Sequence, residues 1–398
     1  MTSLSKNRIE SIDILRGIVM VIMALDHVRD FFHISANTAN PLDPATTTFI
    51  LFFTRWITHF CAPVFVFLSG TSIYLQSQRK TKKELSVFLI TRGLWLIFVE
   101  VVIVTFAWSF NPNYTFHFLQ VIWTIGISMV ILGVLIYLPF NVLLGIGLVI
   151  VLGHNALDFP ESAPGFKAGF LWDLLHHGAF VPYEYAPGHS LFLVYPFVAW
   201  LGLMILGYCF GVFFTDKFSY EQRKKILVRL GVAVLVFFVA LRFTNAYGDP
   251  HDWSPQKNFL FTVLSFVNVN KYPASLLFMC LMIGPALILL PYLEKVKNWF
   301  SEAMRTFGRV AFFYYILHLY LIHVLAAIAF FLRGHTMQEA TASIQSQFPF
   351  YFIIPGEGFG LPIVYVIWIL VVLMLYPLCK WYDQYKTKHK EKKWLSYL

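Results

Sequence analysis

An all-α fold, a polytopic transmembrane helix bundle of about ten spans, is what this sequence predicts, and three observations predict it. Of 398 residues, 58% are hydrophobic and only 13% are charged, against roughly 25% charged in an average soluble domain. The apolar residues fall into many blocks of about 20, the length that crosses ~30 Å of hydrocarbon. Charged loops and loops marked by Pro and Gly separate those blocks. A chain so composed cannot cover itself with polar surface in water.

Hydropathy places the spans, in order, near 12–32, 57–76, 86–108, 118–138, 140–156, 191–214, 226–244, 273–292, 310–332 and 362–380. The first carries charge and lacks a small-residue cleavage site, so it is expected to be a retained signal anchor. The second opens at Arg55-Trp56-Ile57-Thr58-His59 and runs through Pro63 to Phe65-Val66-Phe67-Leu68-Ser69-Gly70. Gln120 and Trp123 mark the fourth, Lys271-Tyr272-Pro273 the entry to the eighth, and Gly308-Arg309 the start of the ninth. A single domain over 1–398 is expected, with a basic cytoplasmic tail at 383–398. No internal repeat or low-complexity tract stands out.

The net charge of +9 does not point to nucleic acid, because the Lys and Arg residues sit in alternate loops rather than on one basic face. Lys6 and Arg8, Arg79 to Lys83, Arg223 to Lys225, Lys295 to Arg305 and the tail from Lys386 to Lys393 fall on one side. By the positive-inside rule both termini are cytoplasmic, which requires an even number of spans. A bacterial inner membrane is the expected location. The long outer segments, roughly 33–56, 157–190, 245–272 and 333–361, are rich in Pro, Gly, His, Trp and acidic residues, a composition suited to caps or substrate-facing loops. Cys61, Cys209, Cys280 and Cys379 lie in or beside apolar spans without ligand spacing, so they read as packing residues. His176, His177, His189 and His251 read as solvated loop histidines, and no metal is expected.

Ionisable groups inside spans cost several kcal/mol unless they meet a partner or water. The first span has several: Asp13, Arg16, Asp26, His27, Arg29 and Asp30. Arg16 and His27 are eleven residues apart, which puts them on nearly one helical face ~16 Å apart along the axis. That separation suits a long anionic carrier whose head binds at the cytoplasmic mouth while its reactive end reaches the outer half of the bilayer. Coenzyme A has that shape. Arg16, Arg92, Lys82 and Lys83 are the candidate partners of its phosphates. Taken as a helix, the start of the second span puts Arg55 and His59 on one face near His27, and with Gln120 and Lys271 they are candidates for the acceptor pocket. His318 and His323 lie in the ninth span at depths that let either meet His27.

Ser11-Ile12-Asp13-Ile14-Leu15-Arg16-Gly17, continuing to His27, resembles the opening helix of transmembrane acyltransferases. In the acyltransferase-three branch an Arg is followed after ten residues by a His taken as catalytic, and Arg16 and His27 match that spacing. Phe65-Val66-Phe67-Leu68-Ser69-Gly70 resembles the second helix of the same superfamily. With Leu119-Gln120, Tyr195-Pro196, Trp200-Leu201-Gly202, Lys271-Tyr272-Pro273 and Gly308 leading to His318, the chain is most similar to the proteins grouped with the heparan-α-glucosaminide N-acetyltransferase catalytic domain. The resemblance implies acyl transfer and a functional role for His318. The family's lysosomal members have Asn at the position of His27 and a further His in the first external loop.

The expected activity is transfer of an acyl group, acetyl above all, from cytoplasmic acetyl-CoA or another acyl-CoA to a hydroxyl or amine of an extracytoplasmic glycan or glycolipid. His27 is the expected base. His318 is expected to orient the thioester or assist proton movement, and Asp26 or Asp30 to hold the imidazole tautomer. Lipid bilayer, acyl-CoA and glycan are the expected partners, with a homodimer allowed. The alternative is a proton-coupled secondary transporter in which Asp26, His27, Glu100 and His318 form a relay.

Overall fold

The computed structural model describes residues 9–178, 180–345 and 349–396, so Lys6 and Arg8 and the last two residues of the tail lie outside the described residues. The chain opens with α1 (Glu10–Phe32). Next, α2 (Phe49–Trp56) passes through a 3₁₀ turn at Ile57–Phe60 into α3 (Cys61–Ser77). A capping box at Thr81 and Glu84 starts α4 (Lys82–Val99), which continues through a π-helical segment at Glu100–Val104 into α5 (Thr105–Ser109). Strand β1 (Phe116–Leu119) leads into α6 (Val121–Leu135) and α7 (Phe140–Gly153). Short helices α8 (Asp158–Glu161) and α9 (Phe170–Leu175) precede β2 (Pro182–Ala186) and β3 (His189–Leu193). The remainder is helical: α10 (Val198–Phe210), α11 (Tyr220–Thr244), α12 (Phe259–Val267), α13 (Leu276–Leu293), α14 (Trp299–Arg309), α15 (Ala311–Leu332), α16 (Met337–Gln345) and α17 (Leu361–Lys388).

Helices occupy each of the expected spans, and among the described residues 7 helical stretches are long and apolar enough to cross a membrane. The stretches Val121–Leu135 and Val198–Phe214 are apolar but shorter. Helix α1 carries six charged residues, Glu10, Asp13, Arg16, Asp26, Arg29 and Asp30.

A small sheet departs from the all-α expectation. Its order is β1-β3-β2, with β1 parallel to β3 and β2 antiparallel to β3. The residues 118–119 and 191–193, expected to begin the fourth and sixth spans, are therefore strand. Short apolar runs do not distinguish strand from helix by periodicity, and here pairing Phe116–Leu119 with Ser190–Leu193 decides it. At the other end, α17 carries helix as far as Lys388, so the first residues of the expected tail continue the last span.

Helix α1 is the hub, packing against α3, α13, α14, α15 and α17. Its crossing with α14 is close because glycines face each other there. A Cβ on Gly308 would lie 1.8 Å from the Asp13 carbonyl oxygen, and one on Gly17 1.8 Å from that of Met304. Arg305 bonds Glu10 at 2.6 Å and Arg309 pairs with Asp383 at 3.0 Å, which ties the start of α1 and the end of α17 to one end of the bundle. This is the basic end. At the opposite end His33 bridges to Phe359, and the rings of Phe31, Trp108, Phe118 and Phe350 stack together. This is the capped end.

Candidate active site

One cavity of about 2440 Å³ runs through the bundle beside α1, whose residues line it from Glu10 past Arg16, Met20 and Met23 to His27 and Phe31. At the basic end its wall includes Arg79, Lys80, Lys83, Arg223, Lys390 and Lys392. At the capped end its wall includes Asn37, Phe180, Lys271, Tyr272 and Phe350.

His27 stands on the cavity wall with the edge of Trp108 against it, ring centroids 4.9 Å apart. Its Nδ1 lies 2.7 Å from His318 Nε2. Behind it His318, fully buried, places its own Nδ1 3.0 Å from the Tyr314 carbonyl oxygen. A carbonyl only accepts, so His318 Nδ1 carries a proton and donates it there. In the neutral ring Nε2 then has a lone pair and accepts from His27 Nδ1–H. By the same logic His27 Nε2 is left with a lone pair. The two rings lie nearly parallel, centroids 5.0 Å apart and 12° between planes, which holds His27 in one orientation.

This arrangement corrects two expected roles. His318 does not reach the cavity wall and its Nε2 meets His27, so it is not placed to orient a thioester there. The carboxylates do not hold an imidazole: Asp26 bonds the guanidinium of Arg55 and that of Arg29 at 3.2 Å, and Arg29 reaches Asp30 at 2.5 Å. Guanidinium groups are the stronger partners for a buried carboxylate because they offer charge and several donors at once. The result is an ion cluster at the capped end whose members Asp26, Asp30 and Arg55 line the cavity beside His27. Lys271, also on the wall, lays its ammonium over the Tyr272 ring at 5.0 Å, and Gln120 lines the cavity where β1 gives way to α6.

His59 does not join them. It is 1% exposed, lies against Phe278 with centroids 5.5 Å apart, and is not on the cavity wall. The expectation fails because Ile57–Phe60 is a 3₁₀ turn. At about three residues per turn, a residue four places on from Arg55 points well away from the face that an α-helix would share.

Toward the basic end, Arg16 donates to Ser72 Oγ at 2.9 Å and to Asp13 at 3.4 Å, fixed between α1 and α3 on the wall. Arg92 and Lys83 also line the cavity. Lys82 faces elsewhere: its ammonium donates to the Tyr137 carbonyl at 3.1 Å, so it is corrected out of the mouth, while Arg79 and Lys80 enter it. Consecutive residues at a helix start point to different sides, and only the fold says which side is the cavity. His323 lies outside the pair too, with Nδ1 2.9 Å from Ala107 O and Nε2 3.0 Å from Tyr351 O. Glu100 accepts the Trp123 backbone N–H at 3.0 Å, a carboxylate set on the first turn of α6. Trp108 and Tyr315, which flank the histidine pair, carry no signal in the sequence that would have singled them out from other aromatic residues of the spans.

A sequence model of the family described as heparan-alpha-glucosaminide N-acetyltransferase, catalytic, matches residues 8–243. The chain belongs to that family. No curated protein matches it. Membership makes this a membrane acetyltransferase of the heparan-alpha-glucosaminide N-acetyltransferase kind. The match covers α1 to all but the last residue of α11, and so includes Arg16, His27, Arg55 and Arg92. His318 and Lys271 lie beyond it, and their place in the site comes from the geometry alone.

Proposed function

We propose that this member of the family takes an acyl group, the acetyl group above all, from acyl-CoA bound at the basic end and passes it to a hydroxyl or amine of a glycan or glycolipid at the capped end. The carrying observation is the single cavity along α1 with the His27–His318 pair on its deep wall. From Glu10 to Phe31 that wall covers ~32 Å of helix, close to the ~30 Å of a bilayer core. Arg16, Lys83 and Arg92, with Arg79 and Lys80, offer the donors that nucleotide phosphates require. By the positive-inside rule the basic end faces the cytoplasm, and a bacterial inner membrane is the proposed location.

In this reading His27 Nε2 removes the proton from the acceptor as its oxygen or nitrogen bonds to the acyl carbon. The C–S bond breaks, and the leaving thiolate takes up a proton, so the pair returns to its starting state. His318 is a positioning residue: it fixes the tautomer of His27 and can take the Nδ1 proton while His27 is charged. Asp26, Asp30 and Arg55 are proposed to bind the acceptor together with Gln120 and Lys271.

The test is acetyl-CoA binding and acetyl transfer by the purified chain. His27→Ala is expected to lower kcat by ~10²–10⁴-fold and leave binding intact. Arg16→Ala is expected to weaken binding by ~10-fold or more. Absence of saturable acetyl-CoA binding by the folded wild type overturns the proposal. The cavity is open to a second reading, a proton-coupled transporter, because its lining reaches both ends of the bundle. Against it weighs the engagement of Glu100 with α6 and of Asp26 with two guanidinium groups. Cargo flux in vesicles without acetyl transfer decides for the transporter.

A further inference from the structure

A second cluster lies away from the cavity, where a 3₁₀ turn at His154–Leu157 joins α7 to α8 and α9 returns beside it. Asp158, Glu161 and His176 each place a ligand-type atom within 4.8 Å of the others. His176 is 2% exposed, unlike the solvated loop histidine its sequence context suggests. Its Nδ1 lies 2.8 Å from Glu161 Oε1, which also accepts the Trp172 indole N–H at 2.6 Å. A carboxylate only accepts, so His176 Nδ1 is the donor and the other ring nitrogen is turned toward Asp158 Oδ1, 3.7 Å away. Both His176 Nε2 and Asp158 Oδ1 are buried, and neither has a hydrogen-bond partner among the described residues.

A gap of that length is too long for a hydrogen bond. It is the right size for an ion: two ligand atoms ~2.0–2.1 Å from a tetrahedral Zn²⁺ lie about 3.4 Å apart. A carboxylate holding the far nitrogen of an imidazole is also how metal-binding histidines are oriented. We propose that His176 Nε2 and Asp158 Oδ1 hold a divalent cation of the zinc class, with water completing the coordination, while the Glu161 carboxylate orients the imidazole from its far nitrogen.

The ion would serve as a clasp. Asn155 donates to Asp158 at 2.7 Å and accepts the Leu276 N–H at 2.8 Å, while His154 Nε2 meets the Ala274 carbonyl at 2.9 Å. Joining α9 to α8 therefore braces the segment that leads from Lys271 and Tyr272 into α13.

Zinc chloride is titrated into the chelator-treated full chain by calorimetry, with cobalt(II) absorption in the visible range as an independent readout. The expected result is one saturable equivalent of metal, a cobalt spectrum of low coordination number and a higher Tm. His176→Gln and Asp158→Asn should each weaken binding by at least ~100-fold, and Glu161→Gln by ~10–100-fold. His189→Gln, at a loop histidine bonded to carbonyls of Pro187 and Asn113, should bind as wild type. No saturable uptake by the folded wild type, or equal uptake by wild type and Asp158→Asn, overturns the proposal. Should a variant not fold, a wild-type cobalt spectrum without visible bands overturns it as well.

Discussion

The contacts of individual side chains separate residues that sequence position groups together. Lys82 and Lys83 are neighbours, yet Lys82 is held on the Tyr137 carbonyl and Lys83 lines the cavity mouth. Lys83→Ala is therefore expected to raise the KM for acetyl-CoA by ~5–12-fold, since one charge-assisted contact is worth about 1–1.5 kcal/mol when partly exposed, whereas Lys82→Ala leaves it unchanged. Steady-state kinetics on the two variants checks this; equal effects would mean that the mouth acts only through its net field. Arg16 and His27 were legible from spacing on one helix, because a regular helix fixes the direction of each side chain. Partners that the fold alone supplies were not. The His318 ring that sets the tautomer of His27 comes from 291 residues away, and the guanidinium that holds Asp26 comes from α2. His59 was misplaced for a local reason, a 3₁₀ turn that hydropathy does not register.

At the scale of elements, the long helices were legible from apolar block length, while breaks within them were not. The π-helical segment at Glu100–Val104 and the turn at Val310 between α14 and α15 leave no mark on mean hydropathy. The α1–α14 crossing depends on an absent side chain. Gly308→Val would drive a Cβ into the Asp13 carbonyl, where backbone rather than a flexible side chain must yield. A loss of ~3 kcal/mol or more is expected, read as a lower Tm in detergent. Gly145→Ala, in α7 with nothing within 4 Å of its Cβ position, is the control and should change stability by less than ~1 kcal/mol. A different dependence belongs to α16. His335 bonds Glu357 at 2.8 Å and Glu339 at 3.3 Å, and these contacts, with the Glu357 bond foremost, raise its pKa above 6.5. Arg333, 3.4 Å from Glu357, is the other charge facing the group. A raised pKa means that the folded state binds the proton more tightly than the unfolded one. The contribution to α16 is thus complete below 6.5 and is lost as pH rises through the folded value. Hydrogen exchange of α16 amides, corrected for intrinsic rate, should show protection falling over that window in wild type and flat in His335→Gln.

The whole molecule has two chemically different ends joined by one cavity, and that asymmetry is what the proposed reaction across a membrane requires. Lysines and arginines cluster where the chain begins and ends, while the small sheet, α12 and α16 are built from the long connections at the other end. The alternation of basic and non-basic loops made this division legible, because charge placement follows topology. The placing of Phe118 of β1 and of Phe350 on the cavity wall was not, since the contacts that set them there join residues far apart in the chain. Sided labelling tests the division directly. Cys61, Cys209, Cys280 and Cys379 are all buried, so an introduced surface cysteine supplies the accessible thiol. Lys388→Cys and Lys225→Cys place thiols on exposed positions at the basic end, and Gln338→Cys and Lys167→Cys on exposed positions of the outer connections. In sealed vesicles of one orientation, a membrane-impermeant maleimide should reach the first pair from one face and the second pair from the other. Lys388→Cys and Gln338→Cys labelling from the same face would put α17 on one side of the bilayer, and a cavity beside α1 could then no longer join a donor on one side to an acceptor on the other.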